Sequence, residues 1–320
     1  MEAEPTADKF VPAARLAQGP IRSRASMARG SGTQALAPLP GGMARYKGIF
    51  VSISGGKDGQ VALHKVCEEA SRLGILDRVY ALHADLGADE WPGTGHYVRA
   101  QADRAGVPLL VCSRIGQRKK GNAGKLYSDG EIYGDLHDYV VRRFRTGITR
   151  AWYRQDARWC TSEFKRGPLN ALSGRLNTAL GGEGPVLSVR GMRAEESTAR
   201  RRMPSFGKDE RWSSSRRHMD VWLPVHNWTE AEIWGCIVTH DLPYHWAYDL
   251  GMPRLSCAIC MLNGRNGITR AGYYNLARLK EKHAVEQQTG EAFKADLFLG
   301  DVLADIEAGR WPAEVGAWKG

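Results

Sequence analysis

A glycine-rich run at residues 54–59 reads Ser-Gly-Gly-Lys-Asp-Gly and stands between a β-rich segment and an amphipathic helix. Consecutive glycines let the backbone turn sharply and approach an anion closely. The start of a helix adds unpaired N–H groups and partial positive charge, and Lys57 adds a full charge. The run predicts a phosphate-binding loop, with an ordinary glycine turn as the alternative. It matches neither the common P-loop pattern nor the dinucleotide fingerprint.

Three of the six cysteines lie in loop-like segments: Cys160, and Cys257 with Cys260 as a Cys-x-x-Cys pair. If the fold brings them together, three thiolates suit a [4Fe–4S] cluster with one iron open. Zinc is the less favoured alternative and would need a fourth ligand, for which His240, His245 or a substrate are candidates. A site without metal is the third alternative.

The other cysteines are predicted to pack in the core and not to bind that metal, because Cys67 and Cys236 lie on apolar helix faces and Cys112 ends a strand. Six cysteines among 320 residues are too few for a disulfide scaffold. The first residues carry acidic side chains without an apolar stretch, so we expect a reducing, cytoplasmic location.

The overall composition, 42% hydrophobic and 25% charged, excludes a wholly disordered chain. The sequence has no apolar run of the roughly 18 residues that a membrane span needs. The net charge of +10 is uneven, since residues 114–166 hold 13 basic and 6 acidic residues. This basic stretch predicts binding to nucleic acid, DNA or tRNA, or to a polyphosphate substrate, with a solvated basic face as the alternative.

Alternating strand and helix patterns predict an α/β fold with a parallel sheet and right-handed crossovers. The predicted strands are 48–53, 79–84, 108–112 and 186–189, and the predicted helices are 62–73 and 95–105. In such sheets ligands bind beyond the carboxyl ends of the strands.

The remaining pattern sets the expected domain limits. Residues 221–225 read as an edge strand stopped by a proline, and 229–232 as a capping box that opens a helix through Val238. From residue 269 the pattern is helical. We therefore expect a disordered tail at 1–44, one domain at 45–262 and a helical extension at 263–320.

The loop resembles the Ser-Gly-Gly-x-Asp-Ser signature of the PP-loop ATP pyrophosphatases, with Gly59 in place of the final serine. Further segments, in order, resemble the phosphoadenosine phosphosulfate (PAPS) reductase branch of that superfamily. They are 85–94, 160–169, 191–200, 223–234 and 242–260. The resemblance implies a Rossmann-like PP-loop domain of the adenine nucleotide alpha hydrolase type, in which the loop holds the pyrophosphate end of ATP.

The resemblance also implies a set of site residues. The nucleotide-binding candidates are Ser54, Gly55, Gly56, Lys57, Asp58, Gly59, Asp85, Gly191, Arg193, Glu196 and Arg200. The catalytic candidates are Lys57, Asp58, Asp85 and Cys160, and the metal candidates are Cys160, Cys257 and Cys260. Asp58 or Asp85 would help to place Mg²⁺. Arg193 and Arg200 can clamp a phosphate or sulfate with planar forks, with a surface ion-pair cluster as the alternative.

Three functions follow as hypotheses. The first is an ATP-dependent sulfurtransferase acting on nucleic acid, similar in its motifs to DNA-phosphorothioation enzymes and supplied by a sulfur donor protein. The second is a PAPS or adenosine phosphosulfate (APS) reductase. Such reductases resemble one another in a C-terminal Glu-Cys-Gly-type motif whose cysteine attacks the sulfur, and no cysteine follows Cys260 here. The third is a degenerate nucleotide-binding protein associated with nucleic acid, a reading that Gly59 keeps open.

Overall fold

A six-stranded sheet forms the centre of the fold in a computed structural model that describes residues 30, 32–120, 126–148, 151–154, 156–214 and 217–312. The strand order is β3-β2-β1-β4-β6-β5, and every pairing is parallel except that of β5 with β6. The strands are β1 Gly48–Ser52, β2 Val79–Asp85, β3 Leu109–Ser113, β4 Pro185–Arg190, β5 Phe206–Lys208 and β6 His218–Trp222.

Helices cover both faces of this sheet. They are α1 Lys57–Arg72, α2 Thr94–Ala105, α3 Leu136–Arg145, α4 Gly167–Ala179, α5 Thr198–Arg201, α6 Glu230–Thr239, α7 Arg265–Tyr274, α8 Leu276–Thr289 and α9 Leu299–Glu307. A helical turn at Trp159–Thr161 and a π-helical turn at Ser162–Arg166 lead into α4. Among the described residues, no helix combines the length and apolar character that crossing a membrane requires.

The apolar run of β1 explains its central position, because parallel strands are covered on both faces. Ile49 and Val51 face the core formed with α1, α2 and α6, whereas Phe50 faces the opposite side together with Leu82. Leucines of α4 pack against that second cluster. The predicted α/β class and the four strands expected at 48–113 and 186–189 are confirmed.

The topology leaves a crevice between β1 and β4. The chain leaves β1 toward β2 and β3 and returns on the other side of β1 as β4, so the connections diverge above these two strands. Ligands bind at such switch points in doubly wound sheets. The fold therefore places residues 54–59 and 191–193 at the edge of the sheet where a ligand is expected.

The prediction of an edge strand at 221–225 is wrong. β6 ends at Trp222 and lies inside the sheet, between β4 and the three-residue β5. Pro224 follows the strand, and its carbonyl accepts a hydrogen bond from Ala37 N at 2.8 Å. The proline ends the strand without facing an open edge because β5 covers that side.

The predicted tail at 1–44 is only partly compatible with the structure. Residues 1–29 and 31 lie outside the described residues. The indoles of Trp222 and Trp228 donate hydrogen bonds to the carbonyls of Ala37 and Ala35 at 3.0 and 3.1 Å. Residues 32–44 are thus part of the fold, because two buried tryptophans need acceptors that this segment supplies.

The boundary expected at residue 262 does not separate two cores. Ile268, Leu279 and Val302 of α7, α8 and α9 share one hydrophobic cluster with Phe164 and Ile259. The C-terminal helices therefore build the surroundings of the Cys-x-x-Cys segment and are not an addition beside it.

Candidate functional site

The glycine-rich loop wraps the first turn of α1. Gly55 adopts a left-handed backbone with φ of 74°, which glycine tolerates, and a Cβ atom there would lie 3.1 Å from Leu255 Cδ2. Its carbonyl accepts a hydrogen bond from Gln101 Nε2 at 3.1 Å. Gly56 precedes the helix as its N-cap, and Ser54 is exposed. The loop and the start of α1 thus have the glycine-turn-to-helix geometry from which the sequence predicts an anion site, and anion binding there stays a prediction.

Gly191 brings the end of β4 against this turn. A Cβ atom at residue 191 would lie 2.4 Å from the carbonyl carbon and oxygen of Asp58 and 2.5 Å from Gly59 N. Because these are backbone atoms, they cannot move aside without shifting the loop. Gly191 therefore sets the shape of the crevice through close backbone contact.

Lys57 is buried, with 2% of its side chain exposed. Its ammonium donates a hydrogen bond to Pro253 O at 2.9 Å and pairs with Glu230 Oε1 at 3.4 Å and Asp58 Oδ2 at 3.6 Å. Burial lowers the pKa of Lys57, but the charge of Asp58 and other neighbours more than offsets this, so its pKa is raised. The ammonium binds the loop to the segment at residue 253, whereas the sequence predicted contact with phosphate.

Asp58 and Arg193 form a buried ion pair beneath the loop, with Arg193 Nε 2.5 Å from Asp58 Oδ1. Burial raises the pKa of Asp58, but Lys57 and Arg193 more than offset this and hold it below its usual range. Glu196 accepts from Arg193 N at 2.9 Å and also pairs with Arg200. Both arginines therefore bind carboxylates, which is the arrangement of the ion-pair alternative.

Asp85 lies at the carboxyl end of β2 in a group with His83 and Glu90. Their ligand atoms lie within 4.8 Å of one another, in a cleft of about 670 Å³. His83 Nε2 is 3.4 Å from Glu90 Oε2, and Asp85 Oδ1 accepts a hydrogen bond from Gly87 N at 2.8 Å. The sequence motifs do not include His83, although its position two residues before Asp85 puts both side chains on one face of the strand.

Cys160, Cys257 and Cys260 all influence the pKa of one lysine, Lys165. The negative charge of Cys257, and less strongly of Cys260 and Cys160, raises the pKa of Lys165 against the opposing effect of burial. Burial also raises the pKa of Cys257 to about 12. All three cysteines belong to the same apolar cluster. The structure thus places the three cysteines in one apolar cluster, and metal binding by them stays a prediction.

The spacing of these thiols bears on the kind of metal. Two thiolates on one zinc ion lie about 3.8 Å apart, given Zn–S distances of about 2.3 Å in a tetrahedral site. In the described part of the chain, the groups of three ligand atoms within 4.8 Å of one another are His64–Cys236–His240 and His83–Asp85–Glu90. The three thiols form no such group among the described residues, so at least two of their sulfur atoms lie more than 4.8 Å apart.

Backbone contacts hold the Cys-x-x-Cys turn. Ala258 N donates to Asp89 O at 2.8 Å, and the Tyr153 hydroxyl donates to Ile259 O at 3.2 Å. The Asp89 carboxylate is itself held by Arg278 and by Lys282 Nζ, the latter at 2.8 Å. Helix α8 thereby fixes the turn that carries Cys257 and Cys260.

Tyr248 joins this turn to the anion loop. Its hydroxyl oxygen accepts hydrogen bonds from Lys57 N at 3.0 Å and from Leu255 N at 3.2 Å. Together with the contact of Lys57 Nζ and Pro253 O, these bonds pack residues 253–255 against the loop, two residues before Cys257. The segment that leads to Cys257 therefore packs against the loop.

The two histidines considered as fourth ligands have other partners. His245 is fully buried; its Nδ1 accepts from Ala247 N at 3.1 Å, and its ring stacks on Trp246. Burial lowers the pKa of His245 to about 3. His240 lies beside His64, with ring centroids 4.4 Å apart. Neither histidine is grouped with the three thiols.

Part of the basic stretch is already paired with acidic residues. Arg114 pairs with Glu163 at 2.9 Å and lies 3.9 Å from the centroid of the Tyr133 ring. Arg142 pairs with Glu131 at 3.3 Å. Residues 121–125, 149–150 and 155 of this stretch lie outside the described residues. Binding of nucleic acid here stays a prediction.

Fold and site together define an α/β protein with a glycine-rich loop at the switch point of its sheet and three cysteines in one apolar cluster. The sequence matches the phosphoadenosine phosphosulfate reductase domain over residues 48–263, and the chain belongs to this family.

The chain is similar to curated proteins named adenosine 5'-phosphosulfate reductase. Those of Bacillus anthracis and Bacillus cytotoxicus are 32% identical over 85 residues, which is 26% of this chain and 35% or 34% of theirs. The chain thus spans about a third of the length of these relatives. A solved structure of phosphoadenylyl-sulfate reductase from Candida auris, a phosphate complex, is 19% identical with a TM-score of 0.39 and covers 66% of this chain and 82% of its own.

Two glycine variants distinguish a tolerant position in the loop from an intolerant one. A Cβ atom at Gly59 would meet Ser52 O at 3.5 Å and Ile53 Cα at 3.6 Å, which are ordinary contacts. We expect Gly59→Ser to keep the free energy of unfolding within about 0.5 kcal/mol, because serine is also the better helix former.

Gly191→Ala should lose nucleotide affinity by displacing the loop. Urea unfolding and nucleotide titration measure both, and an unaffected Gly191→Ala variant would refute the close-contact argument.

Proposed function

We propose that the chain uses an adenosine nucleotide at residues 54–59 to transfer sulfur to a nucleic acid, with a metal cluster held by Cys160, Cys257 and Cys260. One observation carries the proposal: residues 253–255 pack on the anion loop and lead directly to Cys257. A nucleotide bound at the loop would lie beside the thiols. Such a neighbourhood suits a reaction that activates an oxygen and replaces it with sulfur.

The donor set fits a cluster. The three thiolates would supply the ligands of the cluster. The Lys165 ammonium would offset part of the negative charge of the bound sulfide and thiolates. When bound, a [4Fe–4S] cluster with three thiolate ligands would supply one iron open to a sulfur ligand. The buried thiols have raised pKa values at Cys160 and Cys257, so metal binding must displace their protons.

The residues of the loop would hold the phosphates. In the proposed reaction a substrate oxygen attacks the α-phosphorus of ATP, pyrophosphate leaves, and sulfide then displaces AMP with its bridging oxygen. The amides at the start of α1 would bind the phosphates, while Asp85 and Glu90 offer carboxylates to Mg²⁺. Asp58 is committed to Arg193, so Asp85 is the better candidate of the two. Lys57 would act by positioning the loop.

A second candidate function is favoured by the names of the relatives. A sulfonucleotide reductase would take APS or PAPS at the same loop and, with two electrons from a thiol reductant, release sulfite and the nucleoside monophosphate or bisphosphate. The 85 residues shared with APS reductases of Bacillus support this candidate. In that reaction the thiols would again lie next to the bound nucleotide.

One set of assays separates the functions. The protein, purified and reconstituted without oxygen, is incubated with ATP, sulfide and either DNA or tRNA, and separately with APS or PAPS and a thiol reductant. Pyrophosphate release that depends on the nucleic acid supports sulfur transfer. Sulfite release from APS or PAPS without ATP overturns it in favour of the reductase. Nucleotide binding with neither product overturns both and leaves a degenerate binding protein.

Salt dependence tests the nucleic-acid part separately. If the basic stretch at 114–166 binds a polyanion, the affinity should fall steeply with salt because bound counterions are released. The measurement is a titration of labelled DNA and tRNA at several salt concentrations. Binding that is absent for both, or insensitive to salt, would contradict this part of the proposal.

A further inference from the structure

Helices α1 and α6 face each other with metal-binding side chains away from the three thiols. We propose that His64, Cys236 and His240 form a second metal site, for zinc or a similar transition metal, with Glu68 as a fourth donor. The ligand atoms of the first three lie within 4.8 Å of one another. This site differs from the three-thiol site, because Cys236 packs in the cluster on the α1 face of the sheet, whereas Cys257 packs in the cluster formed with the C-terminal helices.

The spacing on both helices suits a shared ion. His64 and Glu68 are four residues apart on α1, and Cys236 and His240 are four residues apart at the end of α6. Residues at this spacing lie on one helix face, one above the other. Each helix therefore presents two donors toward the other.

The contacts within the group leave a nitrogen without a hydrogen bond. His64 Nε2 is buried and has no hydrogen-bond partner, although Glu68 Oε1 lies at 3.3 Å. The rings of His64 and His240 lie with centroids 4.4 Å apart. Lys65 Nζ binds the other oxygen, Glu68 Oε2, at 2.7 Å, so Oε1 remains directed at His64. A cation between these donors would satisfy the buried nitrogen.

The donor set and the distances point to zinc. One thiolate, two imidazoles and a carboxylate or water are typical ligands of tetrahedral zinc. Zn–N distances of about 2.0 Å and Zn–S distances of about 2.3 Å put ligand atoms about 3.3–3.6 Å apart. The separations of up to 4.8 Å need only close by roughly 1 Å, which rotation of the half-exposed histidines can supply.

The position of the site indicates a structural role. Helix α1 begins at Lys57 in the anion loop, and α6 begins at Glu230, whose Oε1 lies 3.4 Å from Lys57 Nζ. An ion held farther along the two helices would cross-link α1 to α6 and so stabilise the position of the loop. This inference does not depend on the reaction that the loop serves.

The test is cobalt and zinc binding by the full chain. Cobalt titration of the Cys260→Ser protein, in which the three-thiol site is impaired, should still show a thiolate-to-cobalt charge-transfer band with tetrahedral d–d bands. His64→Gln and His240→Gln should weaken zinc binding by at least the 10- to 100-fold that an outer-shell change causes. His283→Gln is the matched control, since its side chain is 23% exposed and paired with a glutamate, against 22% for His64.

Cys236→Ser provides the second arm. It should abolish the charge-transfer band in the Cys260→Ser background while nitrogen-bound cobalt remains weakly detectable. If Cys236→Ser does not fold, the exposed Glu68→Gln variant together with His64→Gln decides the question through zinc stoichiometry by equilibrium dialysis. Unchanged zinc affinity in both histidine variants, or no metal bound in the Cys260→Ser protein, would overturn the proposal.

Discussion

Asp89→Ala should lower the free energy of unfolding by about 3–5 kcal/mol, because it takes the paired carboxylate from the buried Lys282 and removes one of the carboxylates that bind Arg278. The Asp89 side chain is 1% exposed, Lys282 is 0% exposed and Arg278 is 7% exposed. Lys282 Nζ lies 2.8 Å from Asp89 Oδ1, and Arg278 binds the other oxygen. Urea unfolding of wild type and variant measures the difference directly.

The control for this variant is Asp156→Ala. The Asp156 side chain is 70% exposed and pairs with Arg154 at 3.1 Å, and such surface pairs contribute about 0–1 kcal/mol. If Asp89→Ala cost no more than Asp156→Ala, the ion pairs of α8 would not hold the segment before the Cys-x-x-Cys turn.

Acidification should remove part of the free energy of unfolding that the Asp89 carboxylate contributes. Burial raises the pKa of Asp89, but Lys282 and Arg278 more than offset this and hold it below its usual range. A depressed pKa contributes stability that is present above the unfolded value of about 3.9 and is lost as pH falls through the folded value. The difference between wild type and Asp89→Ala should therefore shrink below about pH 4. If the difference in unfolding free energy between wild type and variant stayed constant below about pH 4, the stabilising role of the charged Asp89 carboxylate would be contradicted.

Changing any of Cys160, Cys257 or Cys260 to serine should remove the bound metal and the activity together. The reason is that two thiolates hold a cluster poorly when the third position becomes a neutral hydroxyl. Iron and acid-labile sulfide, assayed after anaerobic reconstitution, should fall from about four of each per chain to a small remainder.

Cys112→Ser serves as the matched control. Cys112 is buried, and its thiol donates to His83 O at 3.4 Å, so the change should affect packing and leave the metal content unchanged. Full iron content in all three site variants would show that these thiols do not hold a cluster. Loss of iron in Cys112→Ser as well would point to general unfolding.

The sequence predicted those parts of the fold that are local. Strand β1, helix α1 and the loop between them follow from one apolar run, two glycines and a helical repeat of buried residues. The three cysteines buried in the core, Cys67, Cys112 and Cys236, also follow from apolar periodicity and are confirmed.

Short or interrupted elements escaped prediction. β5 has only three residues, which is too few for a period-2 pattern to stand out. The helical course from Trp159 to Ala179 runs through a π-helical turn and the Gly167-Pro168 pair. Proline is tolerated in the first turn of a helix, so this pair does not break the helix although its composition is typical of a turn.

The partners of the site residues could not be predicted at all. Arg193 binds Asp58 across 135 residues of chain, Lys57 Nζ binds Pro253 O across 196, and Arg278 binds Asp89 across 189. No periodicity in a single sequence records such contacts. For this reason the sequence assigned Lys57 and Arg193 to phosphate, whereas their charged groups bind other parts of the protein.

The most direct test of the account is whether a nucleotide at the loop covers the thiols. The metal-free protein is alkylated with iodoacetamide, with and without saturating ATP or APS, and each cysteine is quantified by peptide mass spectrometry. Cys160 and Cys260 are partly exposed, whereas Cys67 and Cys236 are buried and serve as internal controls. We predict that one of the nucleotides slows alkylation of Cys160 and Cys260 severalfold without affecting the controls. Unchanged rates at both positions with either nucleotide bound would show that the loop and the thiols do not form one site.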